Sequence, residues 1–368
     1  MVAFDAVAIE TETARVRLLF LHPRLDLTDS TLRLLASVRA AQRAGAKVTV
    51  FSKRGSCSAA LSSTGAEILE GELPSTRWRG YFAAGRTAER IAELAPELLH
   101  VTDEELAGLA VRLAEGLRCR YVLEISRKLR APLRLRAPWI GSVILPCDTF
   151  VENAVNRGQV PREYLKVIEH GPDPAIRWKP HEEDRRPVVV TCGTLDEAHA
   201  QEVLVEAAAL LARAGRKLEF LVLGEGPREL DLRRRIRELG LESHITVACP
   251  ALPALRDALL EADLHVSCAR SGSPGWGAIE ALGMGIPSVF TAINGSFPLV
   301  EDRRNALLVE RNSPAKLAEQ LAVLLDNHEG ALRLGAHARS RLLQSHRHES
   351  FARGLAELYE AARGAPAS

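Results

Sequence analysis

Residues 270–287 read Arg270-Ser-Gly-Ser-Pro-Gly-Trp-Gly-Ala-Ile-Glu280-Ala-Leu-Gly-Met-Gly-Ile-Pro287, and they follow the apolar run Ala262-Asp-Leu-His-Val-Ser-Cys268. The apolar run predicts a buried parallel strand. The loop after it has three glycines in six residues and then opens a helix. Glycine lets the backbone approach a ligand, and the free N–H groups and positive dipole end of a new helix favour an anion such as a phosphate. The stretch therefore predicts an α/β unit with a candidate anion site.

Glu280 lies about one turn into the predicted helix. At that place a carboxylate can accept hydrogen bonds from vicinal sugar hydroxyls. A strand–turn–helix unit of any α/β fold, with a solvated glutamate, fits the same pattern. Both interpretations stay open on this stretch alone.

Composition limits the class of protein. The chain has 368 residues with 46% apolar and 26% charged content, which suits a globular protein with two α/β domains. A formal charge of +1 argues against nucleic-acid binding. Because no apolar run approaches the length of a membrane span and the N-terminus lacks a signal-peptide pattern, we expect a cytoplasmic location.

The six cysteines are scattered along the chain, and none forms a Cys-x-x-Cys pair. Several fall in predicted strands or at strand ends. Buried reduced thiols are therefore predicted, rather than disulfides or a metal site.

Strands and helices alternate through two regions. A strand at 16–21, a helix at 30–44 and a strand at 47–51 form an opening βαβ unit. The prolines and the charge run within 174–186 predict a linker. We therefore place a first domain at 1–173, a second at 187–345, and a final helical segment at 346–368.

The glycine-rich stretch, with its Glu-Ala and Gly-x-Pro and the following Ser288-Val-Phe-Thr, resembles the nucleotide-sugar loop of glycosyltransferase family 4. That family runs Arg-Ser-Glu-Gly-Phe-Gly, then four residues, then Glu-Ala. Five residues match in register: Arg270, Ser271, Gly275, Glu280 and Ala281. Gly193, Leu195 and Gly224-Glu-Gly-Pro227 match two further turns. The resemblance is strong over 187–345 and moderate over 15–175.

The resemblance implies a fold and an activity. The fold is α/β of the GT-B type, with two Rossmann-like doubly wound parallel-sheet domains and a C-terminal crossover helix that returns to the first domain. The activity is transfer of a sugar, with retention, from a nucleotide-diphosphate sugar to a glycan, lipid or protein acceptor. No metal ion or other cofactor is implied.

Several family positions are replaced in this chain. Gly272 stands where the first glutamate is expected, and the first loop, His22 to Asp29, lacks the family's Gly-Gly. Ser126-Arg127 replaces His-Asp, while Thr194 and His199 replace the Arg and Lys that bind the donor pyrophosphate. Charge-assisted bonds are about twice as strong as neutral ones, so we expect weaker diphosphate binding. His199 supplies a charge only when it is protonated.

The resemblance also implies the site residues. Glu280, Ser126 and Arg127 are the predicted catalytic residues. The predicted substrate-binding residues are Gly193, Thr194, His199, Gly224, Gly226, Arg270, Ser271, Gly272, Gly275, Gly277 and Glu280. Arg270, His199 and Arg127 are the candidate cations for the leaving diphosphate.

Two other functions stay open. One is a catalytically degenerate GT-B protein that acts as a binding or partner subunit, because the replacements concentrate at catalytic positions while framework positions remain. The other is a GT-B sugar epimerase, which would act on a nucleotide sugar without any acceptor.

The stretch 127–136 carries five cations in ten residues with leucines between them. One interpretation is a solvated basic helix face. The other is a site for an acidic acceptor or for anionic headgroups, which places the protein peripherally at the inner face of a membrane.

Overall fold

The structure is a computed structural model that describes residues 16–73, 89–125, 127–181, 185–250, 252–271, 275–293, 296, 299–345 and 348–363. Two of the predicted site residues, Ser126 and Gly272, lie outside the described residues. So do the first fifteen residues and residues 182–184 of the predicted charge run at 181–186.

The first domain is built on a seven-stranded sheet in the order β3-β2-β1-β4-β5-β6-β7, and its strand pairs are parallel. Its strands are β1 Arg17–Arg24, β2 Lys47–Lys53, β3 Glu67–Glu70, β4 Leu98–Val101, β5 Arg120–Glu124, β6 Ile140–Leu145 and β7 Leu165–Val167. The central strands are apolar on both faces because helices cover both sides of the sheet, as parallel sheets require.

The second domain has a six-stranded parallel sheet in the order β10-β9-β8-β11-β12-β13. Its strands are β8 Val188–Cys192, β9 Glu219–Leu223, β10 Ile245–Ala248, β11 Leu264–Ser267, β12 Ser288–Thr291 and β13 Leu307–Val309. In both sheets the strand order reverses direction beside the first strand of the domain, and α/β sheets bind ligands at that place, beyond the carboxyl ends of the strands.

The helices pack on the two sheets and between them. They are α1 Asp29–Arg43, α2 Ser58–Ser62, α3 Ala107–Leu117, α4 Val151–Asn156, α5 Glu202–Arg213, α6 Glu229–Glu238, α7 Leu252–Leu260, α8 Trp276–Met284, α9 Pro314–Asp326, α10 His328–Ser345 and α11 His348–Ala362. Short 3₁₀ helices lie at Glu104–Leu106, Asp148–Phe150 and Arg162–Tyr164. None of the helices among the described residues has the length and apolar character needed to cross a membrane.

One apolar cluster joins the two domains. It combines β1 and α1 residues of the first domain with Val190, Trp276 and Met284 of the second and with Phe351 of α11. Each domain has in addition a cluster of its own on the outer face of its sheet. The cleft between the domains therefore has an apolar floor.

The final helix, α11, docks on the first domain through a buried polar network. The Tyr359 hydroxyl lies 2.7 Å from His100 Nδ1, and His100 Nε2 lies 3.2 Å from Glu124 Oε1. Arg33 Nε of α1 lies 3.2 Å from the other Glu124 oxygen. Burial alone would raise the pKa of Glu124, but Arg33 and His100 outweigh it and lower that pKa. The crossover helix predicted from the family resemblance is thus confirmed.

Two elements escape the sequence prediction, α2 and the edge strand β3. The β3 stretch is Glu-Ile-Leu-Glu, with both glutamates exposed and no alternation of apolar and polar residues. A short edge strand of this kind has no period-2 pattern to detect. The two sheets lie on either side of the predicted linker, and the domain limits themselves stay a prediction.

Candidate functional site at the domain interface

The carboxyl ends of β8 and β9 lead into two loops that touch each other. Gly193 N–H donates to the Leu223 carbonyl over 3.0 Å, and both Gly193 and Gly224 have positive φ, +144° and +152°. A Cβ at Gly224 would overlap the Gly193 carbonyl oxygen, and one at Gly226 would overlap the backbone of Leu195. Gly224 and Gly226 are therefore required by contact between the loops, whatever ligand binds beside them.

The glycines at the start of α8 have two different surroundings. Gly275 is the N-cap, with φ +89°. A Cβ at Gly277 would overlap the Sγ of Cys192 at the end of β8. Burial raises the pKa of the Cys192 thiol, and the Asp29 and Glu280 carboxylates raise it further. The first turn of α8 is therefore packed directly on the end of β8, with two carboxylates near the contact.

A carboxylate from the first domain lies at the N-terminus of α8. Asp29 Oδ1 accepts a hydrogen bond of 2.8 Å from Trp276 N–H, the first N–H of the helix. The other oxygen, Oδ2, lies 3.0 Å from His199 Nε2 and 3.0 Å from the place where Gly275 would carry a Cβ. We call the group formed by Gly275, the Trp276 N–H and His199 the anion site. In this structure Asp29 is the anion that it binds.

His199 is held between two carboxylates. Its Nδ1 lies 2.8 Å from Asp196 Oδ1, which also accepts the His199 backbone N–H at 2.9 Å. Burial by itself lowers the pKa of His199, but the hydrogen bonds and charges of Asp196 and Asp29 outweigh it and raise that pKa to about 10. His199 is therefore an imidazolium at neutral pH, and both ring nitrogens donate. His199 stands where the resembling family has a lysine, and in this structure it carries the same positive charge.

The loop that carries Asp29 is anchored within the first domain. His22 at the end of β1 lies 2.6 Å from the Thr102 hydroxyl and 3.0 Å from that of Thr31, and burial lowers the pKa of His22 to about 4. Thr28 then caps α1 by accepting from Thr31 N–H at 3.3 Å. Asp29 follows in the first turn of α1, so its carboxylate lies at the N-termini of α1 and α8 together.

The same loop makes a second contact with the other domain. Leu27 N–H and the Ser56 hydroxyl both donate to Glu225 Oε1, in the turn after β9. Two carboxylates, Asp29 of the first domain and Glu225 of the second, therefore each form hydrogen bonds across the cleft.

Glu280 faces a cavity of about 80 Å³ between the domains. The side chain is 1% exposed, and neither carboxylate oxygen receives a hydrogen bond among the residues that the structure describes. Its nearest charged groups are Arg256 Nη2 at 3.5 Å and His170 Nε2 at 3.6 Å. A buried acceptor that receives no hydrogen bond, with its nearest nitrogen donors at 3.5 Å or more, can accept one from a ligand hydroxyl.

Three arginines line the same cavity as Glu280. Arg39 and Arg43 of α1 line the cavity together with Arg256 of α7. Burial lowers the pKa of Arg39, and the charges of Arg256 and Arg43 lower it further. The sequence prediction missed these arginines because they lie on helix faces of different domains, where no motif marks them. The cavity therefore offers both a carboxylate acceptor and guanidinium donors.

Two of the predicted phosphate cations are engaged elsewhere. Arg127 donates to Glu104 over 2.5 Å and to Glu105 over 2.7 Å. Arg270 Nε donates to Asn312 Oδ1 at 2.5 Å, and its Nη1 pairs with Glu202 Oε1 at 2.7 Å. Of the three candidate cations, His199 is the one that the structure brings to the start of α8.

Two further predicted residues, Thr194 and Ser271, lie in the loops that follow β8 and β11. The Thr194 carbonyl accepts from Gln201 Nε2 at 3.0 Å, which fixes the turn after β8. Ser271 is exposed at the rim of its loop. Asp29, like the arginines of the cavity, is a residue that the sequence prediction missed. Its signal was an acidic residue in the first turn of α1, at the end of the loop that lacks glycine.

The basic stretch 127–136 is not a helix, so the predicted basic helix face is wrong in its secondary structure. Leu129 is buried, Leu133 and Leu135 pack on the outer cluster of the first domain, and the cations between them are exposed. The segment is held on the domain by its leucines, whose spacing of four and then two residues does not follow the period of a helix. Within the described ranges, Lys128, Arg130 and Arg134 have no ion pair.

Comparison with known proteins finds a family match over the part of the chain that contains the second sheet. Residues 186–327 match the family described as Glycosyl transferases group 1. Alpha-D-kanosaminyltransferase of Streptomyces kanamyceticus is 29% identical over 162 residues, 42% of this chain and 40% of the relative. A GDP-mannose-dependent alpha-(1-6)-phosphatidylinositol monomannoside mannosyltransferase of Mycobacterium tuberculosis is 28% identical over 200 residues, 50% of this chain and 51% of the relative. The chain thus spans about half the length of these curated relatives.

Solved structures share the whole architecture. Anabaena Alr3699/HepE in complex with UDP and glucose superimposes with a TM-score of 0.78 at 16% identity, covering 94% of this chain and 100% of that one. A glycosyltransferase from Rickettsia africae superimposes with a TM-score of 0.74 at 16% identity, covering 95% and 99%. These matches establish the GT-B arrangement of the two sheets.

Proposed function

Because residues 186–327 are a glycosyl transferases group 1 domain within a GT-B fold, we propose that the protein is a glycosyltransferase that uses a nucleotide-diphosphate sugar and retains the configuration of the transferred carbon. The observation that carries the proposal is Glu280, whose buried carboxylate lines the interdomain cavity without a hydrogen-bond donor among the described residues. Complexes of Alr3699/HepE contain UDP-glucose or UDP and glucose, which supports a donor of the same chemical class here.

In this proposal each group of the site has a role. Glu280 accepts hydrogen bonds from vicinal hydroxyls of the donor. His199 and the N-terminus of α8 compensate the negative charge that grows on the leaving diphosphate, and loss of one such donor typically costs about 10²–10³ in rate. The imidazolium therefore takes the part that a lysine plays in the resembling family. The proposed reaction requires no metal ion.

The exposed cations of 127–136 are assigned to the acceptor. Lys128, Arg130 and Arg134 extend from a segment held down by leucines, which suits an acidic glycan, lipid or protein acceptor. Anionic headgroups attract such cations by about 1 kcal/mol each, so the proposal includes a peripheral contact with a membrane surface at this segment.

Calorimetric titration with UDP, GDP and ADP sugars tests the donor. At least one should bind the wild-type protein, and Glu280→Gln should weaken that binding by about 1–3 kcal/mol, because hydrogen bonds to a charged acceptor are lost. Glu319→Gln is the matched control, since Glu319 is exposed on α9 and pairs with Lys316. Absence of binding by every sugar would contradict the proposal, and equal affinity in Glu280→Gln would remove Glu280 from the site.

A second candidate is a GT-B protein that binds without turnover. Its support is that Arg127 and Arg270 are engaged by neighbouring acids while Asp29 occupies the anion site. Transfer or hydrolysis of the sugar that binds in calorimetry separates the two candidates. Binding with no turnover, across glycan, lipid and protein acceptors, favours the binding role.

A further inference from the structure

The anion site is already filled, and its occupant comes from the other domain. The Asp29 carboxylate uses both of its oxygens, one on the Trp276 N–H at 2.8 Å and one on the His199 imidazolium at 3.0 Å. These donors, a helix N-terminus and a cation, are the ones that bind a phosphate oxygen in α/β proteins. A donor diphosphate and the Asp29 carboxylate therefore require the same hydrogen bonds.

A second observation on the same helix indicates a ligand. One turn beyond Trp276, the Glu280 carboxylate is 1% exposed and lacks a hydrogen-bond donor in the part of the chain that the structure describes. Its cavity is about 80 Å³ in volume and is bounded by α1, which carries Asp29, as well as by α8. The position of α1 therefore controls the anion site and the cavity together.

The charges around Asp29 favour an anion at that place. The carboxylate lies in the first turn of α1 and at the first N–H of α8, so two helix dipoles present their positive ends to it. Without Asp29, these two helix ends and the imidazolium would surround a site with no anion. A diphosphate bound there would contact both domains, as Asp29 does now.

We propose that Asp29 is an intramolecular substitute for the donor diphosphate, which closes the cleft when no donor is present and must leave the anion site before a donor can bind. The inference rests on the proposed function for the identity of the donor. Its physical basis is competition, because a protein whose binding-competent state is only a fraction of the population binds its ligand more weakly by that same fraction. Asp29 would thus set donor affinity without touching the donor.

The experiment compares Asp29→Ala with Glu225→Gln. Both substitutions remove a carboxylate contact across the cleft, but Glu225 bonds Leu27 and Ser56 and not the anion site. UDP and inorganic pyrophosphate are the probes, titrated by calorimetry into each variant and into the wild type. Hydrogen exchange at the Trp276 amide, without any ligand, reports whether its bond to Asp29 is lost. Asp29→Ser, which retains a residue suited to a helix start, repeats the test if Asp29→Ala does not fold.

The proposal expects Asp29→Ala to bind UDP and pyrophosphate about tenfold or more tightly than wild type, if Asp29 occupies the site at least nine-tenths of the time. Glu225→Gln should show no such gain, and the Trp276 amide should exchange faster in Asp29→Ala alone. Equal or weaker binding by a folded Asp29→Ala variant would overturn the inference, and so would an equal gain in both variants.

Failure of the proposed function gives a different result. If wild type binds a nucleotide sugar and Asp29→Ala binds it no better, the inference fails and the proposed function stands. If Asp29→Ala gains pyrophosphate binding but no variant binds any nucleotide, the anion site is real and the proposed function fails. Binding of neither probe to any variant overturns both.

Discussion

Two carboxylates at the start of α8 differ in how their oxygens are satisfied. Asp29 is bonded on both oxygens, to a helix N–H and to an imidazolium. Glu280, one turn further along, has Arg256 and His170 at 3.5 Å and 3.6 Å, and its oxygens receive no hydrogen bond among the described residues. The donors of the anion site are all satisfied by a carboxylate of the protein itself, whereas the Glu280 carboxylate in its cavity receives no hydrogen bond from the described residues.

The difference has an energetic reason. A buried acceptor without a hydrogen bond costs about 1–3 kcal/mol, and the charge of Arg256 at 3.5 Å from Glu280 offsets only part of that cost. The bonds of Asp29, by contrast, stabilise the closed domains by themselves. A satisfied carboxylate in a cleft is therefore evidence of a contact between domains, and an unsatisfied one is evidence of a ligand.

The largest expected effect is from removing the cation of the anion site. His199→Ala would leave Asp29 and Asp196 facing each other without a counter-charge, and we expect a loss of about 3 kcal/mol in unfolding free energy. This is the low end of the range for buried pairs, because the side chains of His199, Asp29 and Asp196 are 19%, 27% and 32% exposed. Chemical denaturation measures it. Arg162→Ala is the comparison, because Arg162 and its partner Glu152 are 63% and 68% exposed, and exposed pairs contribute about 1 kcal/mol or less. Equal losses in both variants would show that burial does not distinguish the two regions.

A smaller effect is expected from adding a methyl group at Gly277, in the turn of α8 between the anion site and the cavity. Gly277→Ala forces this methyl group onto Cys192 Sγ. Overpacking of this kind costs about 1–3 kcal/mol. The double variant with Cys192→Ala should recover part of the loss in a thermal or chemical unfolding experiment. Gly116→Ala is the control, since a Cβ at Gly116 meets nothing within 4 Å. No loss in Gly277→Ala would mean that the first turn of α8 can move away from β8.

The last prediction concerns pH, and its effect is the smallest when it is counted for a single pH unit. The pKa of His199 is raised from 6.5 to about 10 on folding, so its contribution to stability is complete below about pH 6.5 and is lost as pH rises towards 10. The loss is at most about 1.4 kcal/mol for each pH unit in that window. Denaturation at pH 7, 8 and 9 measures it, with His199→Gln as the variant in which this part of the slope should disappear. Identical slopes in the two proteins would place the pKa of His199 near its ordinary value.

Much of the fold follows from local patterns. The alternation of apolar strands with amphipathic helices predicted both parallel sheets, and the structure and its GT-B neighbours confirm the fold class. The predicted strand 16–21, helix 30–44 and strand 47–51 correspond to β1, α1 and β2, with limits that agree to within three residues. The edge strand β3 and the irregular segment 127–136 escaped prediction, because neither has the period of the element that it forms or was expected to form.

The site is less predictable than the fold. Glu280 was predicted from the register of one motif, and the structure buries it in the interdomain cavity. Arg270 and Arg127 were predicted as cations without knowledge of the acids beside them. Glu202 lies 68 residues before Arg270 in the chain, and Glu104 lies 23 before Arg127, so no local pattern indicates either pair.

The sequence by itself determined the α/β fold class, the glycine-rich start of α8 and the position of Glu280 one turn into that helix, because these depend on residues that are close together in the chain. The tertiary structure alone decided what the anion site holds. Asp29 and His199 are 170 residues apart and belong to different domains, and the charge of the imidazole depends on two carboxylates that only folding brings to it. A side chain's type and position can be read from the sequence, whereas its protonation and its partner depend on the electrostatic field of the folded protein.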